Sequence, residues 1–191
     1  MIRKSLFVNT IIIVGLIIFL TGSGYTQAQK DQFVLYTGAG FNQATVTKTQ
    51  TGFVGLDIQG YKMLTPNLAV GFFAGYDVVS YKKIGDYHER LTVMPILLKA
   101  RYTYTLGSRF QLHASLAGGV YTVSPHISEY PIGDISYSTH KPGGSFAVGF
   151  DFWYLLIQGI GGEFEYHFFP TDEGTIFSYF SLRFNYSLLK F

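Results

Sequence analysis

Between Ser145 and Leu156 every second residue is bulky and apolar: Phe146, Val148, Phe150, Phe152, Tyr154 and Leu156. They alternate with Ser145, Ala147, Gly149, Asp151 and Trp153. Side chains alternate between the two faces of a β-strand, so this segment makes a ribbon with one greasy face and one mixed face. The pattern recurs. Phe164, Tyr166 and Phe168 oppose Glu163, Glu165 and His167, and Phe180, Leu182, Phe184, Tyr186 and Leu188 oppose Ser181, Arg183, Asn185 and Ser187. Further upstream, Met94, Ile96, Leu98, Ala100, Tyr102 and Tyr104 share one face, with Lys99, Arg101 and Thr103 on the other. No stretch after residue 30 sustains a helical period, so the chain is all-β.

Gly, Pro, Asn and Asp clusters divide this chain into eight strands. They are expected at Gln32–Phe41, Thr49–Met63, Leu68–Tyr81, Arg90–Thr105, Arg109–Val123, Ser145–Leu156, Gly162–Phe169 and Thr175–Leu189. The connections alternate in length. Leu64–Asn67, Leu106–Ser108 and Ile157–Gly161 are tight, while Asn42–Lys48, Lys82–Glu89 and above all Ser124–Gly144 are long, and Pro170–Gly174 is short for its rim. Short turns on one rim and long loops on the other characterise an antiparallel transmembrane β-barrel.

Two barrels with opposite orientation fit such alternation. A soluble lipocalin-like barrel turns its apolar face inward, whereas a membrane barrel turns it to lipid. Composition decides between them. An eight-stranded barrel has an interior just wide enough to be filled by side chains, too narrow for most of 15 Tyr and 18 Phe. Gly38, Gly55, Gly75, Gly119 and Gly149 fall on or near the polar set, where a crowded interior needs small residues. Charged residues are only 14% of the chain, well below the roughly 25% of a soluble domain. The greasy face therefore meets lipid, and the mixed face lines the lumen.

Met1 to Ala28 has the layout of a cleaved secretory signal: Arg3 and Lys4, an apolar run from Ile11 to Leu20, and the small-residue site Thr26-Gln27-Ala28. The barrel domain is then 29–191. Removal of Arg3 and Lys4 leaves 12 basic against 12 acidic residues, which gives no footprint for nucleic acid. The absence of cysteine excludes disulfides, thiolate metal sites, a cysteine nucleophile and a lipidated cysteine.

On these residues the chain resembles the OmpA/OmpX-like family of small outer-membrane β-barrel domains. The resemblance is carried by the strand Val93-Met94-Pro95-Ile96-Leu97-Leu98-Lys99, the glycine-rich Leu116-Ala117-Gly118-Gly119-Val120-Tyr121, and an aromatic last strand ending in Phe191. It implies residence in a bacterial outer membrane, contact with outer-membrane lipid, and handling by the barrel-assembly machinery through a C-terminal signal of Tyr186, Leu189 and Phe191. The apolar register of the last strand runs through Phe184, Tyr186 and Leu188 rather than through Leu189 and Phe191, so a bulge or fraying is expected near its end.

Candidate chemistry is sparse. His113-Ala114-Ser115 is similar to the His-x-Ser pair of outer-membrane lipid A deacylases, but the register points both side chains into the lumen, where two hydrogen-bonded polar residues are the simpler reading. His126, Glu129, Asp134 and His140 share the longest loop, yet their spacing matches no ligand motif. With Tyr130, Tyr137, Pro125, Pro131 and Pro142 the 124–144 loop reads as a contact surface for an extracellular partner. No cofactor is expected. The lumen is expected to hold a charge network of Asp57, Lys99, Arg101, Asp151, Glu163, Glu165 and Arg183, with Arg183 facing Glu163 and Glu165 across the last hairpin. The function expected is that of a non-enzymatic barrel with a plugged polar interior, anchoring loops for structural or adhesive roles. The alternatives are a porin-like channel and, third, a lipid-modifying enzyme.

Overall fold

The computed structural model describes residues 31–45, 54–84, 87–129, 133–154 and 158–190. The signal segment and Phe191 lie outside these. The described residues form nine strands: β1 (Phe33–Ala44), β2 (Val54–Met63), β3 (Leu68–Ile84), β4 (Tyr87–Leu106), β5 (Phe110–Glu129), β6 (Gly133–Ser136), β7 (Thr139–Trp153), β8 (Gly159–Pro170) and β9 (Ile176–Lys190). Neighbours pair antiparallel, β4 with β5 and β1 with β9 included, so the sheet closes on itself. Closure satisfies the backbone of every stave, which a bilayer demands because lipid offers no hydrogen bonds. Eight strands are staves, as the alternation predicts, and β6 pairs with the outer end of β5 through His126–Glu129.

The long connections differ from the sequence expectation. Ser124–Gly144 is not one loop: β5 runs on to Glu129, β6 folds back beside it, and β7 begins at Thr139. Lys82–Glu89 is likewise mostly strand, in the extensions of β3 and β4. Spanning needs about 9 to 11 residues per strand, and β4 and β5 have 20 each. Their outer halves stand clear of the lipid, where water wets both faces and the apolar alternation that marks a strand is no longer required.

Orientation follows from exposure. Leu98, Leu116 and Ile96 are 76%, 70% and 66% exposed, whereas Arg183 and Glu165 are wholly buried. A belt of this kind runs round the whole barrel, through Phe41, Leu56, Val70, Val148, Phe164 and Phe184 among others. Aromatic rings add to it by packing across strands, as Phe164 does on Phe180 at 5.2 Å and Tyr166 on Phe180 at 4.9 Å.

Two irregularities have local causes. Pairing of β3 with β4 is interrupted between Ala74↔Ile96 and Asp77↔Val93, where Pro95 has no N–H to give. In β1–β9 the register steps from Leu35↔Leu189 to Tyr36↔Ser187, leaving Leu188 as the extra residue of a bulge. That is the irregularity the last strand's apolar register calls for.

Adjacent residues on β7 therefore act through opposite media. Phe150→Arg places charge on the lipid face and should lower stability by about 2 to 4 kcal/mol. At Gly149 a Cβ would lie 2.5 Å from His113 Nε2, so Gly149→Ala should destabilise by crowding, by about 1 to 3 kcal/mol. Urea unfolding in lipid vesicles measures both, and an unchanged midpoint for Phe150→Arg would mean that the faces are reversed.

Candidate functional site

The described inward side chains line a lumen with three layers. Toward the short-turn rim lies an apolar layer of Val34, Tyr36, Tyr61, Met63, Ala69 and Trp153. Toward the long-loop rim lies a larger one, which includes Phe73, Leu97, Tyr121, Phe169 and Tyr179. Charge occupies the space between.

The middle layer is held by ion pairs, most of them across strands that are not neighbours. Arg183 on β9 reaches Asp57 on β2 (Nη1 to Oδ2, 3.1 Å) and Asp77 on β3 (Nη2 to Oδ2, 2.9 Å), with Nε 3.4 Å from Glu165 on β8. Lys99 on β4 lies 2.9 Å from Glu163 and 3.1 Å from Glu165. Arg101 pairs with Asp151. His113 Nε2 is 3.6 Å from Glu163, and His167 Nε2 is 3.4 Å from Glu165. Long charged side chains fit because small residues flank them: Lys99 pairs with Gly71 on one side and Ala117 on the other, and Asp57 pairs with Gly38 and Gly75. At Gly38 a Cβ would sit 2.5 Å from Asp57 Oδ2, so the glycine is what makes room for the carboxyl group.

Hydrogen bonds tie the charges to both apolar layers. Tyr179 donates to Asp77 Oδ2 (2.8 Å), and its ring stacks on His167 at 4.5 Å. On the other side Tyr61 donates to Gln59 (2.9 Å), which donates to Asp57 Oδ1 (3.0 Å). Ring faces also meet the cations: Lys99 Nζ lies 4.9 Å and Arg183 Cζ 4.8 Å from the centre of Phe73, and Arg101 Cζ lies 5.1 Å from that of Tyr36.

All seven charged residues read from the sequence are buried in this lumen. Their partners are not all those expected. Glu163 and Arg183 are register neighbours on β8 and β9, yet Glu163 pairs with Lys99 while Arg183 turns toward β2 and β3. Asp77 escaped the sequence reading. Its signal was its inward register with Phe73 and Gly75 on β3. His113 and Ser115 face the lumen, each 5% exposed. At the outer rim His140 Nδ1 bonds Thr122 Oγ1 (3.0 Å), and among the described residues no three His, Asp or Glu side chains converge to hold a metal. Of the C-terminal residues, Tyr186 pairs with Thr37 and Ile160 and Leu189 with Leu35.

Solved structures match this closed barrel along nearly their whole length. The structure of Neisserial surface protein A superposes with a TM-score of 0.62 at 11% identity, over 84% of this chain and 97% of that one. This chain has the fold of the small outer-membrane β-barrels. Ail, the attachment invasion locus protein of Yersinia pestis, gives a TM-score of 0.57 at 12% identity, over 84% of this chain and 100% of that one. A major outer membrane protein from Thermus thermophilus gives 0.57 at 13%, over 84% and 99%. No family model and no curated relative matches the sequence.

Removing one partner of a buried ion pair costs about 3 to 5 kcal/mol, because the other charge is left uncompensated. Arg183→Met should therefore destabilise this barrel strongly, and adding Asp57→Asn and Asp77→Asn should restore much of the loss. A double-mutant cycle in urea measures this. Coupling is expected with both aspartates and little with Glu163.

Proposed function

We propose that the chain is an exported, non-enzymatic outer-membrane protein: an anchor with an occluded interior that presents its long-loop rim to an extracellular partner. The observation that carries the reading is the charge layer, in which Lys99, Glu163, Glu165 and Arg183 are essentially fully buried between two apolar layers. A solute crossing the barrel would have to open both apolar layers and separate paired charges in one narrow lumen. Against lipid-modifying catalysis, His113 and Ser115 face the lumen and not the bilayer, where a lipid substrate would lie. The outward extension of β4, β5 and β7 supports a role beyond the membrane. Similar folds include a protein named for surface location and one named for attachment and invasion.

On this reading the N-terminal signal directs export and is removed near Gln29, and the assembly machinery inserts the barrel from its C-terminal strand. The working surface is the 124–144 segment, whose described residues are mostly strand. Purified protein in planar bilayers should give no stable unitary current, and the protein should fractionate with outer membrane as a heat-modifiable band. A stable open-channel current would favour the porin-like alternative, and recovery from the soluble periplasm would overturn the reading altogether.

A further inference from the structure

The outer apolar layer does not end flush with the barrel. Above it Leu91, Val123 and Phe177 pack on the same cluster, and together with Phe169 they wall a cavity of about 230 Å³ at the mouth of the long-loop rim. Barrel mouths are places where ligands bind, in apolar concavities with few convergent polar groups. Its charged groups are Lys141 on β7 and Asp172 in the turn between β8 and β9, paired with each other at the edge of the cavity, and Thr139 and Thr171 add hydroxyls to the lining. Lys141 is largely buried and Asp172 exposed, so the cation is anchored in the wall and the acid stands at the entrance. Tyr137 closes the side toward the extended strands.

Size and charge together select a ligand. A dry cavity of about 150 Å³ is enough for benzene, so 230 Å³ takes a six-membered ring with a short substituent. A cation beside an anion at the rim complements a ligand that carries both charges next to its ring. A ligand with one charge would engage only one member of this pair and leave the other to water, and for the largely buried Lys141 that loss is the larger. We infer that the mouth of this barrel is a binding site for a free aromatic α-amino acid, with the ring in the cup, the carboxylate on Lys141 and the ammonium on Asp172. This rests on the proposed occlusion, since the outer apolar layer is the floor of the cup.

Calorimetric titration of the refolded barrel with L-phenylalanine tests the site. Saturable binding is expected, weakened by about tenfold or more when either charge is deleted. The deletion can be made in the protein, as Lys141→Met or Asp172→Asn, or in the ligand, as phenylacetate or phenethylamine. Both variants lie at the rim, and unchanged heat-modifiable mobility shows that they fold. Absence of saturable binding up to about 10 mM, or equal binding of phenylacetate and phenethylamine, would overturn the site. Uptake of phenylalanine into proteoliposomes reads the floor separately. Binding without uptake supports both inferences, binding with uptake keeps the site and overturns the occlusion, and neither binding nor uptake overturns the site alone.

Discussion

Among the described residues, eight charged side chains are buried inside one closed barrel: Asp57, Asp77, Lys99, Arg101, Asp151, Glu163, Glu165 and Arg183. An isolated charge in such a place would be prohibitive, so each has to find an opposite within a lumen a few side chains across. That requirement constrains much of the rest. It demands small residues at inward positions beside the long side chains, which is where Gly38, Gly71 and Gly75 stand. Apolar, largely aromatic layers lie above and below the pairs. Because the pairs join β9 to β2 and β3, and β4 to β8, they tie together staves that share no backbone hydrogen bonds.

Outside, the logic is reversed. The lipid face needs no partners, only the absence of charge and a continuous apolar surface. The chain supplies it with exposed Leu, Ile, Val and Phe on every stave. A single period-two alternation thus serves two solvents at once. For the same reason a one-residue slip is intolerable: it would put Arg183 in lipid and Phe184 in the lumen.

This alternation made the all-β class, the eight staves and the inside-outside assignment legible from the sequence, because in the membrane every second residue is constrained. Where the strands leave the lipid the constraint lapses. Ser124 to Gly144 therefore read as a loop although β5 and β7 continue through much of it, with Pro125 and Pro142 adding to the appearance of a break. For seven of the charged residues lumenal membership was legible, Asp77 being the exception, but pairing was not. Hairpin neighbours can be counted along the chain, whereas the meeting of Arg183 with Asp57 and Asp77 depends on how closure and stagger bring distant strands to one level. The aromatic layers escaped for a different reason. Tyr36, Tyr61, Phe73, Tyr121 and Tyr179 lie on the inward face, and an argument that assigns aromatics to lipid by bulk overlooks those few that cap the lumen.

The central claim is that the charge layer is sealed from both sides. The chain has no cysteine, so single introduced thiols report accessibility without background. Ser115→Cys lies on the inward face of β5 within the polar layer, beside Arg101, and Thr171→Cys lies at the outer mouth. In proteoliposomes a charged, water-soluble methanethiosulfonate reagent should label the Thr171→Cys barrel rapidly. It should leave the folded Ser115→Cys barrel unmodified until heat opens it. Rapid labelling of Ser115→Cys in the folded state would mean that water reaches the charges, and would contradict the account.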